Sequence, residues 1–464
     1  MARTARRLGV GAAGLLAVLP GAALAAQTPY LRGTDAVSIG RAGAGVAFGR
    51  SLEASSMNPA LLVTLQEERS AYVSMGMEMQ ATTSTLQSNS SKLSTSDRNR
   101  FLPSMGAAWK LSPAFALGLK LDTPVLRHGS LPSTSTSRFY GEGLDLGVHR
   151  LELQGAWAIT ERLSLGAGIG VARVSYASDT SVRAIIPEDP SQPYNAGTNP
   201  ALALAEQSLH QSGDKTTGCF SLGFRYAINP RWTVGGSYQK ILKADLSLSA
   251  SKGRVGATTA LDGFGIPDAG ADTAAVQAVL AASQARAGSG SVEIPGVATL
   301  GVRHRFNRLF TWELDLRYTQ GASLKLPSQA GLLTPDGALV SATLPSSGYR
   351  NAFGLSVMGE IAFTRRLTGR LGFAMDGATV DDLAINPVVG GSASASFSAG
   401  VGYRIWGGEL SFGAQIRQSK DVDTDRLDLI WALKDGQPDI RPTGTTTRVE
   451  GSGFTWALGF RRSF

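Results

Sequence analysis

Phe310-Thr311-Trp312-Glu313-Leu314-Asp315-Leu316-Arg317-Tyr318 is the stretch that decides the fold. In an extended chain, successive side chains point to opposite faces. Phe310, Trp312, Leu314, Leu316 and Tyr318 therefore share one face, and Thr311, Glu313, Asp315 and Arg317 share the other. One face is wholly apolar and the other is mostly charged.

The same pattern recurs along the chain. Leu300, Val302, His304 and Phe306 oppose Gly301, Arg303 and Arg305. Phe220, Leu222, Phe224, Tyr226 and Ile228 oppose Ser221, Gly223 and Arg225. Leu410, Phe412, Ala414 and Ile416 oppose Ser411, Gly413, Gln415 and Arg417, and Phe454 to Arg461 alternates likewise. A soluble sandwich hides such an apolar face inside. A transmembrane barrel turns it to lipid and lines a lumen with the polar one.

Three features favour the barrel. Arg3, Arg6 and Arg7 precede an apolar run from Leu8 to Leu24, and Ala23-Leu24-Ala25 has the small-x-small form of an export cleavage site. The strands are often ten residues or longer, which suits a tilted membrane crossing. The chain ends in Phe464, an aromatic terminus of the kind seen in bacterial outer-membrane barrels. Connections also alternate. Short turns at Ser112-Pro113, Thr160-Glu161, Asn229-Pro230, Asn307-Arg308, Thr364-Arg365 and Gly407-Gly408 interleave with long connections near 125–146, 177–214, 251–290, 328–347, 379–391 and 419–447. Short periplasmic turns and long outer loops are the barrel habit. The runs number about fourteen, from near Ser70 to Phe464.

Composition excludes several classes. The formal charge of +8 falls to +5 once the three Arg of residues 1–25 are removed, and it is spread rather than clustered as a nucleic-acid footprint would be. Only Cys219 is present, so no intramolecular disulfide forms. Four His, none at i, i+4 spacing with another, give no metal site, and no cofactor is expected. A lipid hydrolase would need a Ser with a general base in reach, and the scarce His stand in no such context.

Residues 26–66 do not alternate. They are rich in Gly, Ala and Ser, as in Ser38-Ile39-Gly40-Arg41-Ala42-Gly43-Ala44-Gly45. A fourteen-stranded barrel is too wide for its own side chains to fill, so this segment reads as a plug ahead of a barrel spanning 67–464. Two long loops carry helix signals, near 199–211 and 272–287. Pro200 follows the capping residue Asn199, with Leu202, Leu204 and Leu209 as the apolar members. Val276, Val279 and Leu280 share a helical face after Asp272. Apolar helical faces on outer loops cover one another or meet something greasy.

This organisation resembles the FadL-type outer-membrane transporters of fatty acids and aromatic hydrocarbons. The resemblance rests on Gly40-Arg41-Ala42, Gly43 and Gly45 leading to Met57-Asn58-Pro59-Ala60-Leu61, on Leu163 to Gly168, on the Tyr226 to Leu248 hairpin, on Ile294-Pro295 and on Tyr349-Arg350. It implies an all-β, roughly fourteen-stranded outer-membrane barrel with an N-terminal hatch that includes Gly43, Gly45, Asn58 and Pro59. It implies capture of small hydrophobic molecules in a groove between loops, here Leu202, Leu204, Leu209, Val276, Val279 and Leu280. It implies a lumen site, for which Arg173 and Asp376 are the candidates. It implies lateral release into outer-membrane lipid through a gap at a kink in the third strand, where Asp122-Thr123-Pro124 stand. No enzymatic activity is expected, and a closed barrel with no exposed edge needs no partner subunit. The rival is a general porin for polar solutes, which the charged lumen faces allow but which would need neither the plug nor the apolar loop faces.

Overall fold

The computed structural model describes residues 30–48, 51–86, 92–94, 99–130, 142–184, 205–256, 288–327, 331–333, 339–341, 348–380, 391–424, 429–434, 437–442 and 446–464. The export segment 1–25, residues 199–204 and the loop segment 272–287 lie outside the described residues.

The chain forms a closed antiparallel barrel of fourteen strands. The first six are β1 (Arg69–Leu86), β2 (Arg100–Lys110), β3 (Phe115–Ser130), β4 (Gly143–Ala158), β5 (Leu163–Ala184) and β6 (Ala205–Ala227). β7 runs as Trp232–Ile241 and resumes at Ala244–Gly256, and β8 runs as Gly288–Val292 and resumes at Val297–Arg305. β9 (Phe310–Thr319), β10 (Ala352–Ala362), β11 (Leu367–Asp376), β12 (Ser394–Ile405), β13 (Gly408–Ser419) and β14 (Thr447–Ser463) complete the wall. β14 closes on β1, in register from Ser70↔Ser463 to Leu86↔Thr447.

The alternation sorts as a membrane barrel requires. Leu151, Leu153, Ile169, Leu222, Leu300, Leu371 and Phe412 are exposed on the outer wall, while Glu152, Ser221, Glu313, Asp315 and Gln415 are buried within it. Near the short turns the outer wall carries Phe115, Trp157, Tyr226, Phe306, Trp406 and Phe464, all exposed. They form the aromatic girdle expected at a membrane interface. Trp232 stacks on His304 at 4.2 Å there, and Trp312 meets Trp232 edge-on at 5.9 Å.

The strands reach further toward the long connections than alternation indicates. β3 passes beyond Pro124 to Ser130, so the expected loop at 125–146 is shorter. β5 and β6 stay paired from Leu163↔Tyr226 to Ala184↔Ala205, within a stretch expected to be loop from 177 to 214. Above the lipid, outward positions need not be apolar, so the alternation fades while the ladder continues. The helix expected at 199–211 is corrected over its described part: residues 205–211 are strand, and Leu209 pairs with Thr180. A helix this short is marginal on its own, whereas β5 on one edge and the second half of β7 on the other offer this stretch two ladders.

Residues 30–48 and 51–65 lie inside the lower barrel, nearly all of them buried. Asp35 caps the helix Ala36–Ile39, accepting from the Val37 and Ser38 N–H groups at 2.9 Å, and the Ser38 side chain answers in a capping box. This helix touches β12, β13 and β14. Gly40 and Gly400 meet so closely that a Cβ on Gly40 would lie 3.0 Å from the Gly400 Cα. On the adjoining wall, Leu52, Leu62, Val63 and Leu65 pack on Tyr72, Ala108, Ala116 and Ala156. The small Ala residues of β2, β3 and β4 leave room for the plug's leucines.

Candidate functional site

The inner wall changes chemistry along the barrel axis. On β4, Arg150, Glu152 and Gln154 face inward, but Leu144, Leu146 and Val148 occupy the same parity nearer the long loops. They join Ala172, Val174 and Tyr176 of β5, Cys219 of β6, Leu246 of β7, Val292 of β8 and Tyr30 of the plug in one buried apolar cluster. The upper lumen on the β3–β8 side is therefore greasy. This was missed from sequence, where both parities were assigned one character per strand. The signal was present as a phase inversion: apolar residues are even-numbered at 144, 146 and 148, then odd-numbered at 151, 153 and 157.

A charged floor lies below. Arg150 donates to both Asp122 oxygens, at 2.9 and 2.7 Å, and Lys120 pairs with Glu152 at 3.1 Å. Gln239 accepts from Arg150 at 3.0 Å and donates to the Ser56 carbonyl of the plug at 2.9 Å. Arg317 of β9 is different. Its guanidinium lies 5.5 Å from the centre of the Tyr30 ring, and among the described residues it makes no ion pair. Its Nε has no hydrogen-bond partner.

The plug is latched by charge on the β9–β14 side. Arg32 forms a two-pronged pair with Asp376 and donates to Ser356 at 2.6 Å. The Gly45 and Val46 N–H groups donate to Asp315 at 2.8 and 3.2 Å, and the Ala47 N–H donates to Glu313 at 2.7 Å. Gly43 and Gly45 hold positive φ of 71° and 148° in this turn, a region costly for residues bearing a Cβ. A relay of alternating charges runs from plug to wall and back. Arg41 meets Glu360 at 2.6 Å, Arg370 bridges Glu360 and Glu409, and Arg461 bridges Glu409 and Glu53. Asn58 caps the turn that starts at Pro59 and donates to the carbonyls of Val46 and Phe224, tying the plug to itself and to β6.

The wall has a break. β2 and β3 pair from Lys110↔Ala116 only as far as Met105↔Leu121, although β2 reaches back to Arg100 and β3 continues to Ser130. On its other edge β3 bulges against β4 between Asp122 and Val125. Thr123 and Pro124 sit in the bulge, and the Thr123 hydroxyl lies 3.0 Å from His149 Nδ1. In an antiparallel strand the N–H and C=O of one residue face the same neighbour. Pro124 has no N–H to offer on the side of β2, and its carbonyl is taken instead by the plug: the Leu31 N–H donates to it at 3.0 Å, and Tyr30 pairs with Val125. Leu31, Leu102 of β2 and Leu126 of β3 pack together across the break. The Tyr30 hydroxyl donates to the Pro295 carbonyl at 2.7 Å.

The residues singled out from sequence divide accordingly. Gly43, Gly45, Asn58 and Pro59 lie in the plug, and Asp122, Thr123 and Pro124 at the break. Asp376 latches Arg32. Leu209 is a buried strand residue of the upper wall rather than a helical one. Arg173 is corrected: it shares the outward parity of Ile169 and Val171, is exposed, and pairs with Asp214 at 3.2 Å, so it does not reach the lumen. Leu202, Leu204, Val276, Val279 and Leu280 lie outside the described residues. Reasoning from sequence missed Arg317, because inward parity gives no sign of which lumen cations lack a partner.

Residues 17–464 match the family model described as outer membrane protein transport protein (OMPP1/FadL/TodX). The chain belongs to this family. The FadL/TodX family consists of outer-membrane transporters of hydrophobic compounds, and this chain is one of its β-barrels, crossing the outer membrane with strands. No curated protein matches it by sequence. Its fold is similar to that of a Pseudomonas aeruginosa FadL homologue, at 18% identity and a TM-score of 0.71, covering 96% of this chain and 100% of that one. The Ralstonia pickettii toluene transporter TbuX is similar at 18% identity, covering 94% and 99%, with a TM-score of 0.60. The P. putida toluene transporter TodX is similar at 15% identity, with the same coverage and TM-score.

Proposed function

We propose that the greasy upper lumen holds the transported molecule and that the break between β2 and β3 is its exit into the membrane. Capture begins at the outer loops, with Leu202, Leu204, Val276, Val279 and Leu280 as docking residues. The leading end of the plug, Tyr30 to Arg32, then withdraws from the free edge of β3. One observation carries the reading. The wall stops pairing where β3 bulges, and the edge so freed is covered by a plug residue rather than by a strand. Side release keeps apolar surface out of water, at about 0.8 kcal/mol per CH₂, or on the order of 10 kcal/mol for twelve methylenes. A porin for polar solutes would be poorly served by an apolar upper lumen.

The similar structures named as toluene transporters support a neutral aromatic cargo. Arg317 supports an acid-bearing one. A buried cation with no ion pair among the described residues is unfavourable, and a ligand carboxylate settling on Arg317, beside Tyr30 at the base of the apolar cluster, would relieve it. The test is uptake of labelled long-chain fatty acid and of labelled toluene by cells with and without the protein. Both should rise with it. Arg317→Leu should lower fatty acid uptake about tenfold, the equivalent of 1.4 kcal/mol, and leave toluene uptake unchanged. Equal loss of both would refute a carboxylate-holding role. No uptake of either above background would refute the transport reading itself.

A further inference from the structure

The outer wall carries a groove of about 790 Å³ toward its short-turn end, spanning β3 to β8. Phe115, Trp157, Leu165, Leu222, Phe224 and Leu300 form its sides, all exposed and all apolar. Its floor is recessed because small residues lie between them, Gly155 and Gly236 among others. The groove faces lipid, so an aqueous solute has no access to it.

The turns directly beneath are cationic. The β4–β5 turn follows Trp157 and precedes Leu165 and carries Arg162. The β6–β7 turn carries Arg231, and the β8–β9 turn carries Arg308. All three are exposed, and among the described residues none makes an ion pair. Glu161 is the one carboxylate among the described residues of these three turns. Leu165 stands three residues above Arg162, and Gly236 five above Arg231. At about 3.3 Å per residue, the groove lies roughly 10–17 Å along the strands from the cations. That is the separation between a phospholipid phosphate and the middle of its acyl chain.

We propose that this groove and rim form a binding site for one anionic diacyl phospholipid of the periplasmic leaflet, with an acyl chain along Trp157 and Leu165, its phosphate between Arg162 and Arg231, and the charge of Arg308 two strands further along the same rim. The short turns put the site on the periplasmic side, which selects a phospholipid over a lipid of the outer leaflet. Charge complementarity selects an anionic headgroup over a zwitterionic one. The site stands apart from the transport path, because the outward residues of the groove and the inward residues of the lumen occupy opposite parities of the same strands.

The test uses the whole protein in detergent micelles, titrated with phosphatidylglycerol or phosphatidylcholine of the same chain length and read by native mass spectrometry. One phosphatidylglycerol should be retained at least tenfold more tightly than phosphatidylcholine, and inorganic phosphate should not displace it. Gly155→Leu should abolish retention of both lipids. A Cβ at Gly155 meets only Leu117, at 3.7 Å, so the new side chain can enter the groove without moving backbone. Ala167→Leu serves as a second filling variant, and heat-modified gel migration checks that each barrel has folded. Arg162→Gln with Arg231→Gln and Arg308→Gln should erase the preference between lipids. The same change at Arg365 and Arg366 on the β10–β11 turn and at Arg404 at the end of β12, away from the groove, should leave it intact. Equal retention of the two lipids by the unaltered protein, or full retention by both folded groove-filling variants, would overturn the proposal.

Discussion

Val148→Asp should abolish uptake of long-chain fatty acid and of toluene by cells in which the folded barrel is still inserted. Val148 is fully buried, faces the upper lumen, and is flanked in register by Val125 on β3 and Val174 on β5. A carboxylate there draws water into the apolar cluster or remains unsolvated, and either outcome is unfavourable for an apolar ligand. Displacing even two methylenes from contact costs about 1.6 kcal/mol, roughly a tenfold loss of occupancy. A longer displaced stretch multiplies the loss. Val148→Ala, which only enlarges the space, should lower uptake by less than about threefold. The check is initial-rate uptake normalised to surface protein, and equal rates for Val148→Asp and the unaltered protein would show that the ligand takes another route.

The second large effect concerns the latch. Glu360 accepts from Arg41 of the plug at 2.6 Å and from Arg370 of the wall at 3.0 Å. Glu360→Gln keeps the shape and removes the charge, leaving two buried guanidinium groups facing each other. Breaking a buried pair by removing one partner costs about 3–5 kcal/mol, most of it borne by the contact between plug and β10. Three kcal/mol is more than a hundredfold in the population of a displaced plug. In planar bilayers the unaltered protein should be nearly silent, and Glu360→Gln should show frequent openings. Glu409→Gln, which breaks the relay between two wall residues and leaves Arg41–Glu360 intact, should leak less. A silent Glu360→Gln barrel would mean that the close glycine contacts and the Leu52–Leu62 packing hold the plug without the charges.

The architecture was legible in the sequence because lipid imposes a simple rule on it. Across Phe310 to Tyr318 the outward residues must be apolar for the whole crossing, and no tertiary detail can relax that. Residues 30–48 and 51–65 show no two-residue period because they pack a lumen, not a bilayer. The register shift in β3 between Asp122 and Val125 falls at Pro124, and proline withholds an N–H wherever it stands. Three things were not legible. Leu144, Leu146 and Val148 have the composition of a lipid-facing run, and only the register with Arg150 shows that they point inward. Arg173 looked like a lumen cation from its position along β5, but its parity turns it outward. Leu209 fitted a helical spacing because three leucines over eight residues satisfy that spacing loosely, and the β5 partner strand that overrides it lies elsewhere in the chain.

The central claim is that cargo leaves through the side of the barrel, past Tyr30 and Val125. These two form a bridge in which the Leu31 N–H donates to the Pro124 carbonyl, the wide type of antiparallel pair, with Cα atoms about 4.5 Å apart. That spacing suits a disulfide. Cells carrying Tyr30→Cys with Val125→Cys should take up almost no labelled fatty acid while oxidised, and uptake should return when the disulfide is reduced. Undiminished uptake by the fully oxidised, cross-linked protein would contradict the account, because cargo would then be passing a door that is chemically shut.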